Sequence, residues 1–396
     1  MGTWMQRTAV YWVIYIRTHS AFMVGVAVFA TQFPSFLFSL AGGVVSDRYN
    51  RYRVLISTQV ASMIQATLLT ILVLINRYTV WEILALSVVL GIINAFDVPA
   101  RQSMIYEIID DKNDLPNAIA LNSSMVNLAR LVGPAVSGIV LEKLGAGICF
   151  LINALSFVAV IVSLLFLRLP PYVHKPHTKK VFAELKEGLG YLKQTPAIGF
   201  IILQLAFMSL LVLPFVNLLP VYAKVIFSGT ASTFGYLNSF VGLGAIGGTI
   251  FLASLKTGSN LKKVLFINTL IFGVGLILFS HATHFPVALF FVAVAGFGMM
   301  SQTTISNTLI QTTVAPSMRG RVISYFAMAF FGMQPIGGLL IGWVSQRVGA
   351  PDTILAQGII CLFIAISFLV LLKKGILQGK DDVKLMSLEE PLETTP

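Results

Sequence analysis

Gly91-Ile-Ile-Asn-Ala-Phe-Asp97 returns 205 positions later as Gly296-Phe-Gly-Met-Met-Ser-Gln302. The same offset carries Gln102-Ser-Met-Ile onto Asn307-Thr-Leu-Ile and Gly42-Gly43 onto Gly247-Gly248, and an offset of 204 carries Glu142-Lys-Leu-Gly-Ala onto Gln346-Arg-Val-Gly-Ala. In a chain of 396 residues, that offset is a duplication of half the protein, with both copies running in the same direction. Self-similarity at a fixed offset means one structural unit used twice.

The unit is a set of membrane spans. The chain is 56% hydrophobic and 11% charged, with a mean hydropathy of +0.85. Soluble domains carry about 25% charged residues, so a soluble enzyme, a disordered chain and a nucleic-acid reader are excluded. A spanning helix needs about 20 mostly apolar residues. Stretches 22–46, 54–76, 144–167, 194–223, 225–255, 322–346 and 353–372 contain no Asp, Glu, Lys or Arg. The charge-free run 264–318 is broken by Ser280-His-Ala-Thr-His-Phe-Pro286 and reads as two helices; 81–106 and 118–141 span with a few charges. That gives eleven spans, preceded by a partial one over residues 2–16. Parallel repeats of six helices are a pattern of secondary transporters. The expected domains are a first bundle over 1–167, a cytoplasmic linker over 168–195, a second bundle over 196–372 and a disordered tail over 373–396.

Alternating the sides of the loops, with Arg17 outside, puts 20 of the 27 Lys and Arg on one side, five on the other, and Arg7 and Arg130 within helices. The positive-inside rule makes the basic side cytoplasmic, and with it the C-terminus, in the inner membrane. The net charge of +11 is then topological and calls for no nucleic-acid partner. The repeat offset places the start of helix one upstream of Met1, and a 15-residue piece rises only about 22 Å against a core of about 30 Å. The expectation is therefore a first helix truncated at its cytoplasmic start. In the linker, Val181, Phe182, Leu185, Leu189 and Leu192 share a helical face, which suits a helix lying in the membrane interface.

Gly43-Val-Val-Ser-Asp47-Arg48-Tyr-Asn-Arg51-Tyr-Arg53 joins helices two and three. It resembles the loop 2–3 signature of the major facilitator superfamily, with Asn50 where that signature has Gly; Asn tolerates a left-handed turn. Gly2-Thr-Trp-Met-Gln-Arg7, Phe96-Asp-Val-Pro-Ala-Arg-Gln102, Asn117-Ala-Ile-Ala-Leu-Asn122, Asn127-Leu-Ala-Arg-Leu-Val-Gly-Pro134 and Arg319-Gly-Arg-Val322 resemble its enterobactin-exporter branch, over nearly the whole chain. The resemblance implies an all-α membrane protein of two pseudo-symmetric six-helix bundles around a central cavity. It implies a gating role for Gly43, Asp47, Arg48, Arg51, Arg53, Arg319 and Arg321, with Asp47 docking at the start of helix eleven. On physical grounds Asp47 follows the electronegative end of helix two and must be held by a cation or a helix start; a plain topogenic basic loop is the simpler alternative. Ala129-x-x-x-Gly133-Pro134-x-x-Ser137-Gly138 resembles the helix-five motif of proton-coupled exporters, with Ala129 and Ser137 where that motif has Gly. Small residues there also suit ordinary close helix packing.

A charge at mid-bilayer costs about 2.5–3.5 kcal/mol on insertion scales and faces a cavity or a partner. Asn94, Asp97 and Arg101 share a face of helix four, and Arg130 lies mid-way along helix five. Asp97 pairs with Arg101 or with Arg130. It is the candidate proton carrier, or else a fixed structural bridge. Trp4, Gln6, Arg7 and Tyr11 of helix one, with Asn94, Asn127, Gln204, Gln302, Ser306 and Gln334, are candidates for the cavity wall. Arg7 and Arg130 would suit an anionic or catechol-like solute.

His174-x-x-His177 and His281-x-x-His284 have no third ligand nearby, and two cysteines, Cys149 and Cys361, make no metal site. No phosphate-cradling Gly-Lys-Ser/Thr loop and no hydrolase motif occurs, so no cofactor, metal or enzymatic activity is expected. The expected function is proton-coupled export of a small amphipathic organic solute, siderophore-like or drug-like, by a monomer in the lipid bilayer. The alternatives are a facilitator or importer, and a membrane sensor or assembly partner that moves nothing.

Overall fold

The computed structural model describes residues 1–109, 111–167, 181–256 and 258–374. Linker residues 168–180 and the tail from 375 lie outside the described residues, as do the side chains of Asp47, Tyr106, Glu107, Lys112, Pro116 and of 181–186. Among the described residues the chain is helical throughout: α1 Gly2–Thr18, α2 Ala21–Arg48, α3 Arg51–Leu74, α4 Val80–Ile108, α5 Leu115–Leu144, α6 Ala146–Leu165, the linker helix α7 Val181–Gln194, α8 Pro196–Ile226, α9 Ala231–Ala253, α10 Leu261–Ser280, α11 Phe285–Thr313, α12 Arg319–Val348 and α13 Ala350–Lys373. Eleven of them are long and apolar enough to cross a membrane, as expected; α1, at 17 residues, is shorter than that criterion.

Local chemistry sets the helix starts. Ser20 caps α2 by accepting from the Met23 N–H, and the Thr79 N–H donates to Glu82 in a capping box on α4. Asn50 is not in a left-handed turn. Its φ is −61°, and its side chain accepts from the Arg53 N–H, which caps α3. Asn260 does the same for α10 through Lys263. In each, the side-chain oxygen accepts from one of the helix's otherwise unpaired first-turn N–H groups.

The sequence repeat is a repeat of contacts. A side chain at Gly91 would strike the backbone of Thr31, and one at Gly296 the backbone of Val241, so α4 closes on α2 as α11 closes on α9. The matched turns also agree: Gly145 has φ +84° and Gly349 φ +95°, a region where L side chains are strained. Two spans depart from the uniform helices read from sequence. α8 contains a π turn at Met208–Val212, a 3₁₀ segment at Leu213–Leu218 and a second π turn at Tyr222–Ile226; α12 has a π turn at Met328–Gly332. Pro214 and Pro220 remove two backbone donors. The Gln357 amide of α13 donates to the carbonyls of Leu211, at 2.9 Å, and Val212, at 3.3 Å.

The bundles meet along only half their length. At the end carrying the α1–α2 turn, the far end, a continuous apolar core runs from Val10, Ile14, Val24 and Val28 to Met208, Phe215, Phe234 and Phe272. At the opposite, basic end the cores are separate: Leu55, Met104 and Leu164 in the first bundle, and Ile201, Leu205, Ile305 and Phe368 in the second. The seam descends α5 from Glu142–Thr230, at 2.7 Å, through Gly138–Ala231 to Leu131–Gly242. Along α2 it runs from the Ala21 N–H on Gln346, at 2.9 Å, through Gly25–Gly338 to Phe36–Gly332. Below those levels residues 37–41 of α2 and 123–126 of α5 are exposed consecutively. Such runs exceed one 3.6-residue turn, so the exposure includes the side facing the other bundle, while α2 stays packed on α4 at Gly42. The molecule is closed at its far end and open at its basic end.

Candidate functional site

At the roof of the open half, two cations converge on one indole. The Arg7 guanidinium carbon lies 5.6 Å from the Trp4 ring centre and 5.7 Å from that of Tyr11, and its Nε donates to the Tyr11 hydroxyl at 3.0 Å. The Arg130 carbon lies 5.3 Å from the Trp4 ring, and its Nη1 reaches across to the Met300 sulfur of the second bundle at 3.9 Å. The two guanidinium charges act on each other. Arg130 Nε is shielded from solvent without a hydrogen-bond partner. The helix-five motif builds this cluster. Gly133 gives Trp4 room, since its Cβ would fall 2.8 Å from the Trp4 Cβ, and buried Ser137 donates to the Met5 carbonyl at 3.0 Å. Pro134 and Gly138 face the other way and make the seam with α9: a Cβ on Gly138 would lie 2.7 Å from the Ala231 carbonyl oxygen, and one on Gly235 2.5 Å from that of Pro134.

Asp97 is elsewhere. Of its two partners open on sequence, it takes Arg101, at 2.7 Å. Its other oxygen accepts from Thr58 at 3.0 Å and Gln59 at 2.6 Å. The carboxylate is thus locked between α3 and α4, its side chain 5% exposed, while that of Arg101 is 59% exposed. Asn94, one turn earlier, and Asn127 of α5 are half-buried.

Several expected wall residues turn inward. Gln6 is buried within the first bundle, donating to Gln65 at 3.0 Å and accepting from Asn153 at 2.7 Å, while Gln65 donates to the Leu86 carbonyl. It ties four helices together rather than facing the space between bundles. Tyr11 is buried apart from its contact with Arg7. Gln204, Gln302 and Ser306 are buried in the second bundle, whereas Gln334 is half-buried on α12.

At the basic end, Gly43 has nothing within 4 Å of where a Cβ would sit, and Arg48, Arg53 and Arg319 are exposed; Arg51 Nε donates to the Ser46 carbonyl at 3.2 Å. The Asp47 side chain lies outside the described residues. Arg321 is held by Glu187 of the linker helix at 2.7 Å and contacts the Met318 sulfur. Around it Gly188 lies against Tyr325, the Tyr191 hydroxyl accepts from the Ala315 N–H at 3.4 Å, and Leu192 is buried. The described part of α7 therefore packs on the start of α12, leaving Leu189 exposed. Glu187, Met300, Thr58, Gln59, Gln65 and Asn153 escaped the sequence reading. A polar amide inside a charge-free run was the available signal for Gln59, Gln65 and Asn153; Met300 carried none.

A family model described as transmembrane secretion effector matches residues 1–394. The chain is similar to the staphyloferrin A transporter of Staphylococcus aureus, at 26% identity over 94% of both chains. It is similar to macrolide efflux protein A of Streptococcus pyogenes, at 22% identity over 88% of this chain and 87% of that one. Its fold matches a bacterial homologue of the human lysosomal transporter spinster in an inward-facing, occupied conformation, with a TM-score of 0.73, 15% identity and 94% of each chain covered.

Proposed function

We propose that this chain, which belongs to the transmembrane secretion effector family of major facilitator transporters, exports a small amphipathic organic solute in exchange for protons by alternating access. It is a multi-pass membrane transporter and not an enzyme. The observation that carries the proposal is the half-closed seam, because a carrier loading from one side needs the opposite side sealed over its site. With the basic end placed in the cytoplasm of a bacterial inner membrane by the distribution of Lys and Arg, the open space faces the interior, where an exporter loads, and the C-terminus is cytoplasmic. Siderophore-like and drug-like solutes follow from the names of the relatives. A monomer suffices, since the seam and the roof cluster are complete within one chain.

Everted membrane vesicles test this. With an imposed pH gradient, acid inside, vesicles carrying the protein are expected to accumulate solutes drawn from the medium of iron-limited cells that express it. The accumulation should collapse when the gradient is dissipated. Accumulation unaffected by the gradient would indicate a facilitator, and absence of any flux a protein that moves nothing.

For the return to the outward state, we assign the latch to the loop between α2 and α3. In the inward-open form Arg321, at the start of α12, is occupied by Glu187. Closing the basic end brings the α2–α3 loop to that helix start, where a carboxylate is favoured by the helix dipole. Asp47→Asn is expected to leave insertion intact, favour the inward-open form and slow turnover. Cysteine cross-linking between that loop and residues 319–322 should fall in parallel; unchanged cross-linking and transport would remove the latch.

A further inference from the structure

We infer that the Arg7–Trp4–Arg130 cluster is an anion subsite that holds the acidic group of an aromatic solute, and that it makes the carrier select anions over neutral and cationic analogues. The inference deepens the transport proposal, but its geometry stands independently of it.

The balance of charge demands a ligand. A guanidinium held at membrane depth is costly, and a cation over an indole recovers only part of that cost. Like charges brought to the same ring add repulsion. Among the described residues the ion-paired carboxylates are Asp97 and Glu187, and neither touches the cluster. A guanidinium presents five N–H donors. Arg7 spends one on Tyr11, and Arg130 meets only a thioether sulfur, a weak acceptor, leaving its Nε buried and unpartnered. A carboxylate or phosphate would satisfy such donors in pairs. Half-buried Trp4 and Met300 offer an aromatic body apolar, polarisable surface beside that charge. Both cations lie where the seam stops and the open half begins, so a ligand entering from the basic end meets them first at full depth. Because Arg130 belongs to one bundle and Met300 to the other, a ligand held there bridges the two halves.

Trp4 is itself the reporter. The chain has four tryptophans, and replacing Trp12, Trp81 and Trp343 by Phe leaves Trp4 alone. In neutral detergent at low salt, the iodide quenching constant of Trp4 is expected to exceed that of caesium by about tenfold, as two nearby cations require. Neutral acrylamide should quench between them. Benzoate should protect Trp4 from iodide, whereas benzamide and benzylamine should not. Arg7→Gln with Arg130→Gln should bring the iodide-to-caesium ratio close to one. Arg130→Lys, which keeps the charge but loses the fork, should retain iodide preference and lose most benzoate protection. Equal quenching by iodide and caesium in the parent overturns the subsite, as does a Trp4 that acrylamide cannot reach, or protection by benzamide equal to that by benzoate. The quenching needs no flux. Iodide preference without vesicle accumulation therefore removes the transport proposal alone, and accumulation without iodide preference removes the subsite alone.

Discussion

Leucine at Gly138 is expected to abolish gradient-driven accumulation, by tenfold or more, while leaving both bundles folded and inserted. Gly138 sits where α5 crosses α9, and even a single Cβ there would lie 2.7 Å from the Ala231 carbonyl oxygen and 3.1 Å from the Gly235 Cα. Neither neighbour is a flexible side chain, so the helices must separate. Overpacking of this kind costs about 1–3 kcal/mol, and here it falls on one of the two helix contacts, α5–α9 and α2–α12, that seal the far end. Each bundle keeps its own basic-end core, so the defect is a failure to close rather than a failure to fold. Glu142 and Thr230, at 2.7 Å across the same seam, provide the readout. A Glu142→Cys, Thr230→Cys pair should cross-link readily with a short bifunctional thiol reagent in the parent and poorly with Gly138→Leu. The native Cys149 and Cys361 are buried and give a silent background. Gly138→Ala should show a smaller loss in the same direction. Full transport and full cross-linking in Gly138→Leu would mean that the seam is not the closing surface.

The parts legible in sequence were those that the membrane itself enforces. Charge-free length fixes a span, whatever the helix packs against. The repeat was legible because Gly91 and Gly296 meet the same requirement, a helix backbone too close for a Cβ. Facing was not legible. Nearly every side of α1 is apolar or small, so nothing in its period separates Gln6, which turns into the bundle, from Arg7, which turns out to the roof cluster. Gln204 and Gln302 posed the same problem: a lone amide in an apolar run reads equally well as a cavity wall or as packing. The irregularity of α8 was hidden because a charge-free stretch has the same composition whether its turns are α, π or 3₁₀; Pro214 and Pro220 were the only marks. Asp97 had two cations within sequence reach; the structure pairs it with Arg101, while Thr58 and Gln59 of α3 hold its other oxygen.

Removing Arg101 is expected to destabilise the first bundle more than removing Asp97, although the two are partners. The asymmetry follows from exposure: the Asp97 side chain is 5% exposed and that of Arg101 59%. In Arg101→Gln, a buried carboxylate loses its cation and keeps only the hydroxyl of Thr58 and the amide of Gln59. Losing a hydrogen-bonded charge partner in that setting costs about 2–3 kcal/mol. In Asp97→Asn, the amide oxygen still accepts from Thr58 and Gln59, and the mostly exposed Arg101 turns to water. That leaves one poorly satisfied amide NH2 group facing the vacated side, at about 1–2 kcal/mol. The double variant should then resemble Asp97→Asn alone, giving a clear coupling term in a thermal-unfolding cycle measured in detergent. Arg101→Gln no less stable than Asp97→Asn would show that the pair does not hold α4 to α3. The milder variant also decides the role of Asp97 in coupling. If Asp97 carries the exchanged proton, Asp97→Asn will express well, lose accumulation against a gradient and keep downhill exchange of solute. If it accumulates solute like the parent, Asp97 is a structural clamp, and the exchanged proton must be carried at another group.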